Sequence, residues 1–593
     1  MGIFYSDCKG GGFITSVHRK QKKSWHVTAD NEVNAGDGDL VLFQPSLKNN
    51  FDTQKARIVE VLADLNDKRQ IGMIAVHSYG LANKFPKHVL DELSSLPSPL
   101  QNGRVDLRDL SFVTIDPEDA RDYDDAVHAI PDEDPSNKGG WIVTVAVADV
   151  AYYVRYGTAL DREAYRRSNS VYFPDLVLPM LPHMISNNLC SLIEAEDRPC
   201  LAVRMVFDKY GIKRQHSIYR ALIRSAINLT YEKAQQTIDE NAIERCENHP
   251  GSVNVLVTLW HAYNALKNSR QRRNPLELNL RERRIRLDEN GQVYKFAVPT
   301  RLSAHGLIEE FMIQANVAAA ETLEKSTIPF IYRTHDQPSK DKLRSCREIL
   351  NFLGLKFTAQ GTIHTKIFNR ILLDAQTTPV AEIINEAVLR AQAQAMYSSQ
   401  NCGHFGLNLK CYTHFTSPIR RYSDLIVHRA IIRALNLGSD GLTDAECSQL
   451  PIIAAHISQM ERRSVIAERE TVSRLIAEHF SKCVGEEFHA QVSGFINSGL
   501  FVKLCDTGAD GFIPVSSLHD DHYYYDLSQY AMIGKRKSLR YELGDNVRVR
   551  LVETLLTHGT LRFKMLSVGK KKRLSIIKST RQRNYRYKKS SGL

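Results

Sequence analysis

The stretch "TIDPEDARDYDDA", residues 114–126, packs six carboxylates (Asp116, Glu118, Asp119, Asp122, Asp124 and Asp125) into ten consecutive positions, opposed only by Arg121. Like charges at this density make each ionisation harder than the last. The segment is therefore either a solvated acidic loop or a holder for something cationic. Hard oxygen ligands in such number suit Mg²⁺ or Mn²⁺. A calcium loop of the EF-hand kind does not fit, because no glycine stands at the sixth position from Asp116, Asp119 or Asp122. A cation held by aspartates can polarise a phosphodiester, generate hydroxide from water and stabilise a leaving oxygen. Pro117 cannot continue a central ladder, so Asp116 is expected at a strand end where a loop begins.

Chemistry of this kind also needs a positive group against the developing charge. "THFTSPIRRYSDLIVHR" offers one. Ser417 and Pro418 read as an N-cap and first helical residue, which puts Arg420 in the first turn of a helix, where the helix end itself favours an anion. Arg420, Asp424 and His428 recur every four residues and would share a face. The same spacing serves an ordinary surface ion pair equally well. A second cluster, Cys402, His404, Cys411 and His414, matches no common zinc spacing and reads as a loop that happens to contain these residues.

The elements that must position these groups divide into three regions. In the first 80 or so residues, "GGGFITSV", "WHVTAD", "AGDGDLVLFQPS", "KARIVEVLAD" and "IGMIAVHS" read as short strands of a small barrel. Phe13 and Trp25 are read as exposed there, close to Arg19, Lys20, Lys22 and Lys23, a mixture suited to stacking bases and tracking phosphates. A second barrel-like stretch runs from about 485 to 568. Between them, "SFVTID" and "WIVTVAVADVAYYV" read as buried strands, and "LIEEFMIQANVAAAETLEK", "AEIINEAVLRAQAQAMY" and "SPIRRYSDLIVHRAIIRAL" carry helical spacing. No fixed-period repeat and no G-x-x-x-x-G-K-[ST] loop occur, so an NTP-driven remodelling factor is poorly supported.

The net charge of +11 is concentrated in one place. Residues 570–589 hold ten Lys or Arg and no acid, which leaves the rest of the chain near neutrality. Such a tail is either solubilising or a contact for RNA or an RNA-associated partner. The ten cysteines form no C-x-x-C pair, and no apolar run reaches the length of a membrane span. The expectation is a cytoplasmic protein with reduced thiols and no membrane association.

The run "FVTIDPEDARDYDDAV", followed in order by "VAVADVAYYV", "YFPDLVLPMLPHMISNNLCSL", "IEEFMIQAN", "HFGLNLKCYTHFTSPIRRYSDLIVHR" and "IAERE", resembles the catalytic domain of the ribonuclease II family of RNB-domain exoribonucleases. The matches span roughly residues 105–475. The resemblance implies a processive, hydrolytic 3′ to 5′ exoribonuclease that acts on single-stranded RNA as a monomer, with Mg²⁺ or Mn²⁺, and releases nucleoside 5′-monophosphates. It implies Asp116, Asp122, Asp124 and Asp125 as acidic site and metal-binding residues, and Arg420 as stabiliser of the scissile phosphate. Tyr172 would stack near the RNA 3′ end, and Tyr231, Glu309 and Glu468 would help hold RNA. The implied architecture is α+β and multidomain: a single cold-shock-like OB domain at 1–95, a mixed α/β RNB catalytic domain at 96–484, an S1 OB domain at 485–568 and a basic tail at 569–593. Two departures stand out. Only one barrel precedes the catalytic motif, and Leu278 in "NPLELNL" falls where the family often has an aromatic clamp. A regulator that keeps the fold and binds RNA without cleaving it is the alternative, and the joint presence of the four aspartates and Arg420 speaks against it.

Overall fold

The segments FVTID, DAVHAIP and WIVTVAVA are apolar on successive positions, the pattern of strands covered on both faces. In the computed structural model they form the heart of the molecule. The structure describes residues 1–7, 10–17, 24–31, 34–46, 55–64, 67, 70–97, 103–239, 250–280, 284–297, 300–357, 363–519 and 521–570. The cationic cluster Arg19, Lys20, Lys22 and Lys23 and the tail beyond Lys570 lie outside the described residues.

Five N-terminal strands, β1 (Gly2–Ser6), β2 (Gly12–Ser16), β3 (Ser24–Val27), β4 (Asp39–Pro45) and β5 (Ala56–Asp64), form a sheet in the order β3-β2-β1-β4-β5. A parallel bridge from His26 to Lys55 draws its two edges together. Phe13 is exposed and stacks on Tyr5, as base stacking would require, but Trp25 is buried in the barrel core against Phe43. Trp25 alternates inward along β3, so its ring belongs to packing. "IGMIAVHS" is not a strand. It forms helix α1 (Gly72–Ser78), whose buried Ile74, Ala75 and Val76 fill the gap between the N-terminal sheet and the rest of the chain.

The central sheet comprises β6 (Val105–Asp106), β7 (Phe112–Asp116), β8 (Asp125–Pro131), β9 (Trp141–Ala148), β10 (Asp197–Phe207) and β11 (Lys213–Thr230). Its order is β10-β9-β8-β7-β11-β6, and β10 also pairs with β11, so the sheet curls back on itself. The first half of the long β11 pairs with β10, and its last residues run parallel to β7. The expected strand through "WIVTVAVADVAYYV" stops at Ala148. Val150–Tyr153 turns into a short helix directly after the buried Asp149.

Helices α2 (Tyr231–Asp239), α3 (Pro250–Arg273) and α4 (Ser303–Lys325) lie beside this sheet, and α5 (Lys340–Phe352), α6 (Thr365–Ala375) and α7 (Ala381–Ala391) make a satellite cluster with its own core. Leu278 packs into that satellite core. Helix α8 (Tyr422–Ala434) is almost wholly buried. Helix α9 (Asp444–Phe480) opens with a capping box between Thr443 and Glu446 and runs for 37 residues, about 55 Å. Its Ala467 packs with α1 residues, and its Ala477 and Phe480 enter the core of the C-terminal barrel. This barrel closes in the order β12 (Glu487–Ile496), β13 (Gly499–Leu504), β14 (Asp510–Pro514), β16 (Thr560–Met565) and β15 (Asn546–Leu555). No described helix is long and apolar enough to cross a membrane.

Candidate active site

Strands β7 and β8 are antiparallel neighbours, so the loop between them folds its acids onto one edge of the sheet. Asp116 ends β7, Asp125 begins β8, and Asp122 and Asp124 lie between. The loop is pinned from outside. Ser191 Oγ accepts the Tyr123 N–H (3.1 Å) and donates to the Arg121 carbonyl (2.9 Å), while the Ala148 N–H donates to the Asp124 carbonyl (2.9 Å).

The positive partner arrives on a different route from the one its spacing predicts. Helix α8 starts at Tyr422 with Arg421 as N-cap, so Arg420 precedes the helix. Tertiary pairing delays the helix start. The Ser170 N–H donates to the Arg420 carbonyl (3.0 Å), the Tyr422 N–H donates to the Ser168 carbonyl (2.9 Å), and Arg421 bridges Asn169 in extended form. Asp424 and His428 are fully buried and do not share an exposed face with Arg420. Asp424 instead accepts from Arg421 (2.7 Å), the Ser417 N–H (2.8 Å) and the Ser423 hydroxyl (2.8 Å), a clasp that shapes the 417–421 turn.

The turn delivers two groups to one acid. The Ile419 N–H donates to Asp124 Oδ1 (2.8 Å), and Arg420 Nε stands 3.3 Å from Asp124 Oδ2. The second approach lacks hydrogen-bond alignment, so Oδ2 remains a buried oxygen without a donor. Burial, together with Asp125 and Asp122, pushes the Asp116 carboxyl up to about 8. Burial pushes Asp125 up to about 6 against the pull of Arg420 and Arg421, and burial raises Asp124 well above the usual carboxylate range. Three acids too costly to ionise together, one with an orphan oxygen, form a donor set that fits a divalent cation. Among the described residues, no three His, Cys, Asp or Glu side chains close into a ready-made coordination shell.

Asp116, Asp122, Asp124, Asp125, Arg420, Tyr172, Tyr231, Glu309 and Glu468 all line one cavity of about 1250 Å³. Tyr172 donates its hydroxyl to Asp122 (2.8 Å), and its N–H donates to Glu468 (3.0 Å), leaving the ring half-exposed. Tyr231 stacks on His305 with ring centres 4.0 Å apart, so one of its faces is already occupied. The Glu309 carboxylate is held by Arg270 (3.0 Å) and by Arg301. Leu278 does not line the cavity: its side chain is committed to the satellite core, so an aromatic clamp is not what this position builds. Asp119, unlike Glu118, reaches the cavity's edge. Sequence reasoning missed Arg421, Asn316 and the C-terminal barrel's Asp510, which also line it. Of these only Arg421 carried a signal, its i,i+3 spacing to Asp424. In the Cys402 group, His414 lines the cavity but hydrogen-bonds Tyr397 (2.9 Å), while Cys402 and His404 face a different cavity.

The RNB domain model matches residues 104–437, and the S1 RNA binding domain model matches residues 482–585. Ribonuclease R of Thermotoga maritima is 34% identical over 581 residues, covering 95% of this chain and 80% of that protein. Ribonuclease R of Escherichia coli is 34% identical, with 96% and 71% covered. Among solved structures, Mycoplasma genitalium RNase R in complex with double-stranded RNA superposes with a TM-score of 0.81 at 26% identity, covering 95% of each chain. Yeast Ssd1, a pseudonuclease, shares the fold at 18% identity and a TM-score of 0.67, covering 90% of this chain and 67% of that one.

Proposed function

The chain belongs to the ribonuclease II and ribonuclease R family, and from that premise we propose how its residues divide the work of a 3′ to 5′ exoribonuclease that degrades single-stranded RNA. Asp116, Asp122, Asp124 and Asp125 would hold a divalent cation, Mg²⁺ or Mn²⁺. The cation, when bound, supplies a polarised phosphodiester and an acidified water. Arg420 points its guanidinium at the same spot and offsets charge on the scissile phosphate. Asp124 orients this turn through the Ile419 N–H, and Asp424 clasps it from behind.

Tyr172 presents its ring to the terminal base, with Asp122 and Glu468 fixing its two polar ends. Base stacking on an aromatic contributes about 1–3 kcal/mol per base. Tyr231, braced by His305, and Glu309, neutralised by two arginines, line the same cavity. The cavity extends to Asp510 of the C-terminal barrel, so a strand can be held over several nucleotides between cuts. This supports processive digestion, and we read the chain as a monomer that releases nucleoside 5′-monophosphates. We read the chain as divided near residues 95, 484 and 568, with the basic tail as an added RNA contact and the cytoplasm as the place of action.

The single observation that carries this reading is the meeting of four aspartates and Arg420 in one cavity. The shared fold alone does not carry it, since a pseudonuclease has that too. The test is incubation of purified protein with 5′-labelled and 3′-labelled single-stranded RNA, in Mg²⁺, Mn²⁺ or EDTA. The expected result is mononucleotide release from the 3′ label with either metal and none in EDTA. Binding without loss of label would assign a non-cleaving regulator instead.

A further inference from the structure

A second large cavity, of about 760 Å³, shares no described lining residue with the first. It is walled by the last turn of α3, the segment after Thr334, the start of α6 and the loop 401–410. The two cavities lie back to back. On α4, Glu309 faces the catalytic cavity, whereas the neighbouring Glu310 is buried and pairs with Arg273 of the second wall (3.3 Å). His404 of the second cavity likewise lies 5.4 Å, ring to ring, from Tyr412 of the first.

Their charges are opposite. Arg272, Arg273, Lys410 and His364 line the second cavity, and no Asp or Glu does among the described residues. Lys410 is exposed and has no side-chain ion pair among the described residues. Helix α6 adds its amino end, because its N-cap His364 makes no capping bond.

The cavity is also preformed. The His335 N–H donates to the Gly403 carbonyl (3.0 Å), the Phe405 N–H to the His335 carbonyl (2.8 Å), and the Gly406 N–H to His335 Nδ1 (2.9 Å). The Leu276 N–H closes the set on the Gly406 carbonyl (2.7 Å). Gly403 sits at φ +70, a conformation that side chains disfavour, and turns the loop around the opening. Arg273 is taken by Glu310 and Arg272 also reaches the Tyr210 carbonyl (3.4 Å), so the recess offers a phosphate oxyanion chiefly the Arg272 guanidinium, the Lys410 ammonium and the helix N–H groups.

We propose that this cavity is a second phosphate-binding site, taking the sugar–phosphate backbone of RNA away from the catalytic cavity. The proposal rests on the RNA-degrading reading above and deepens it. Phosphate could also arrive as a released nucleoside monophosphate, and the test separates the two sources.

The full-length protein and its Arg272→Gln/Lys410→Gln variant are compared for binding to a short oligonucleotide, a long single strand and uridine 5′-monophosphate across a salt series. Arg273 is left intact because it neutralises the buried Glu310. The variant should cut the short oligonucleotide at the wild-type rate, which keeps this test independent of the catalytic reading. Its affinity for long RNA should fall about tenfold, with a salt slope shallower by about 1.4 for two lost phosphate contacts. Loss of monophosphate binding instead, with long RNA unaffected, would assign the same site to the free nucleotide. As a second readout, RNA should shield the exposed Cys402 at the cavity mouth from alkylation, read by peptide mass, and the double substitution should remove the shielding. Unchanged affinity and slope for long RNA, together with unchanged monophosphate binding and Cys402 reactivity, would overturn the proposal.

Discussion

Asp124 and Asp149 are both buried and lie a few residues apart across the β8–β9 pair, yet their environments treat charge in opposite ways. Burial works against ionisation of Asp149, but Arg220 and Arg104 outweigh it and hold the carboxyl below its usual range. Arg104 stands 2.6 Å away and Arg220 3.0 Å. Burial of Asp124, reinforced by Asp122 and Asp125, outweighs Arg420, at 3.3 Å and poorly aligned, and the Ile419 N–H, and its carboxyl rises. The same contrast separates the groups around them. Arg429 joins Asp161 and Glu446 at 2.7 Å each, a closed ion triad under α8, while for Asp116 and Asp125 burial outweighs the pull of Arg420. Matched acids hold the domain together. Unmatched acids are relieved by a proton or by a cation, and perturbed titration of this kind clusters at working sites.

The largest effect should come from Asp125→Asn. Removing one unmatched acid should reduce hydrolysis to background while RNA binding persists, because the barrels and Tyr172 are untouched. Without metal, the melting temperature should stay level or rise, since a costly buried charge is gone. Wild-type turnover by this variant would show that the crowded acids are not the machinery. The matched counterpart is Asp149→Asn, which removes the buried carboxylate that Arg104 and Arg220 share and leaves Arg220 with Asp440. Stability should fall by about 3–5 kcal/mol in chemical denaturation, with the rate per folded molecule preserved. Equal damage to rate and stability in both variants would dissolve the contrast.

This division was only half legible in the sequence. The unmatched acids were visible because a hairpin gathers residues from one short run, so crowding on the page became crowding in space. Arg420 was visible through the motif around it, but its expected place in a helical turn was wrong, because pairing with Ser168–Ser170 lies far away in the chain. The matched set was invisible for the same reason. Arg104, Asp149, Arg220 and Asp440 come from four distant segments, and no local spacing links them. The strand assigned to "IGMIAVHS" failed differently. Its apolar residues fit either period over so short a run, and packing against two neighbours chose the helix. Trp25 shows a third failure, in which residue type suggested an RNA contact and tertiary packing took the side chain into a core, while Leu278, singled out by its place in the family motif, packs partly buried against the satellite core.

The smallest effect, and the one that reads both regions at once, is the pH dependence of stability. In the unfolded chain each aspartate loses its proton near 3.9. The folded protein keeps protons on Asp125 up to about 6 and on Asp116 up to about 8. Between these limits the folded state binds more protons than the unfolded one, so this cluster's contribution to stability falls as pH rises. Asp149 runs the other way: its folded value lies below its unfolded one, so its stabilisation is present at neutral pH and is lost on acidification. Asp116→Asn should therefore flatten the decline of the melting midpoint measured in EDTA between about pH 5 and pH 8. Because a divalent cation favours the ionised cluster, Mg²⁺ should raise the wild-type midpoint more at the upper end of this window than at the lower. An equal Mg²⁺ increment at both ends, or an Asp116→Asn profile parallel to wild type, would mean that the unmatched acids are balanced by something other than a cation.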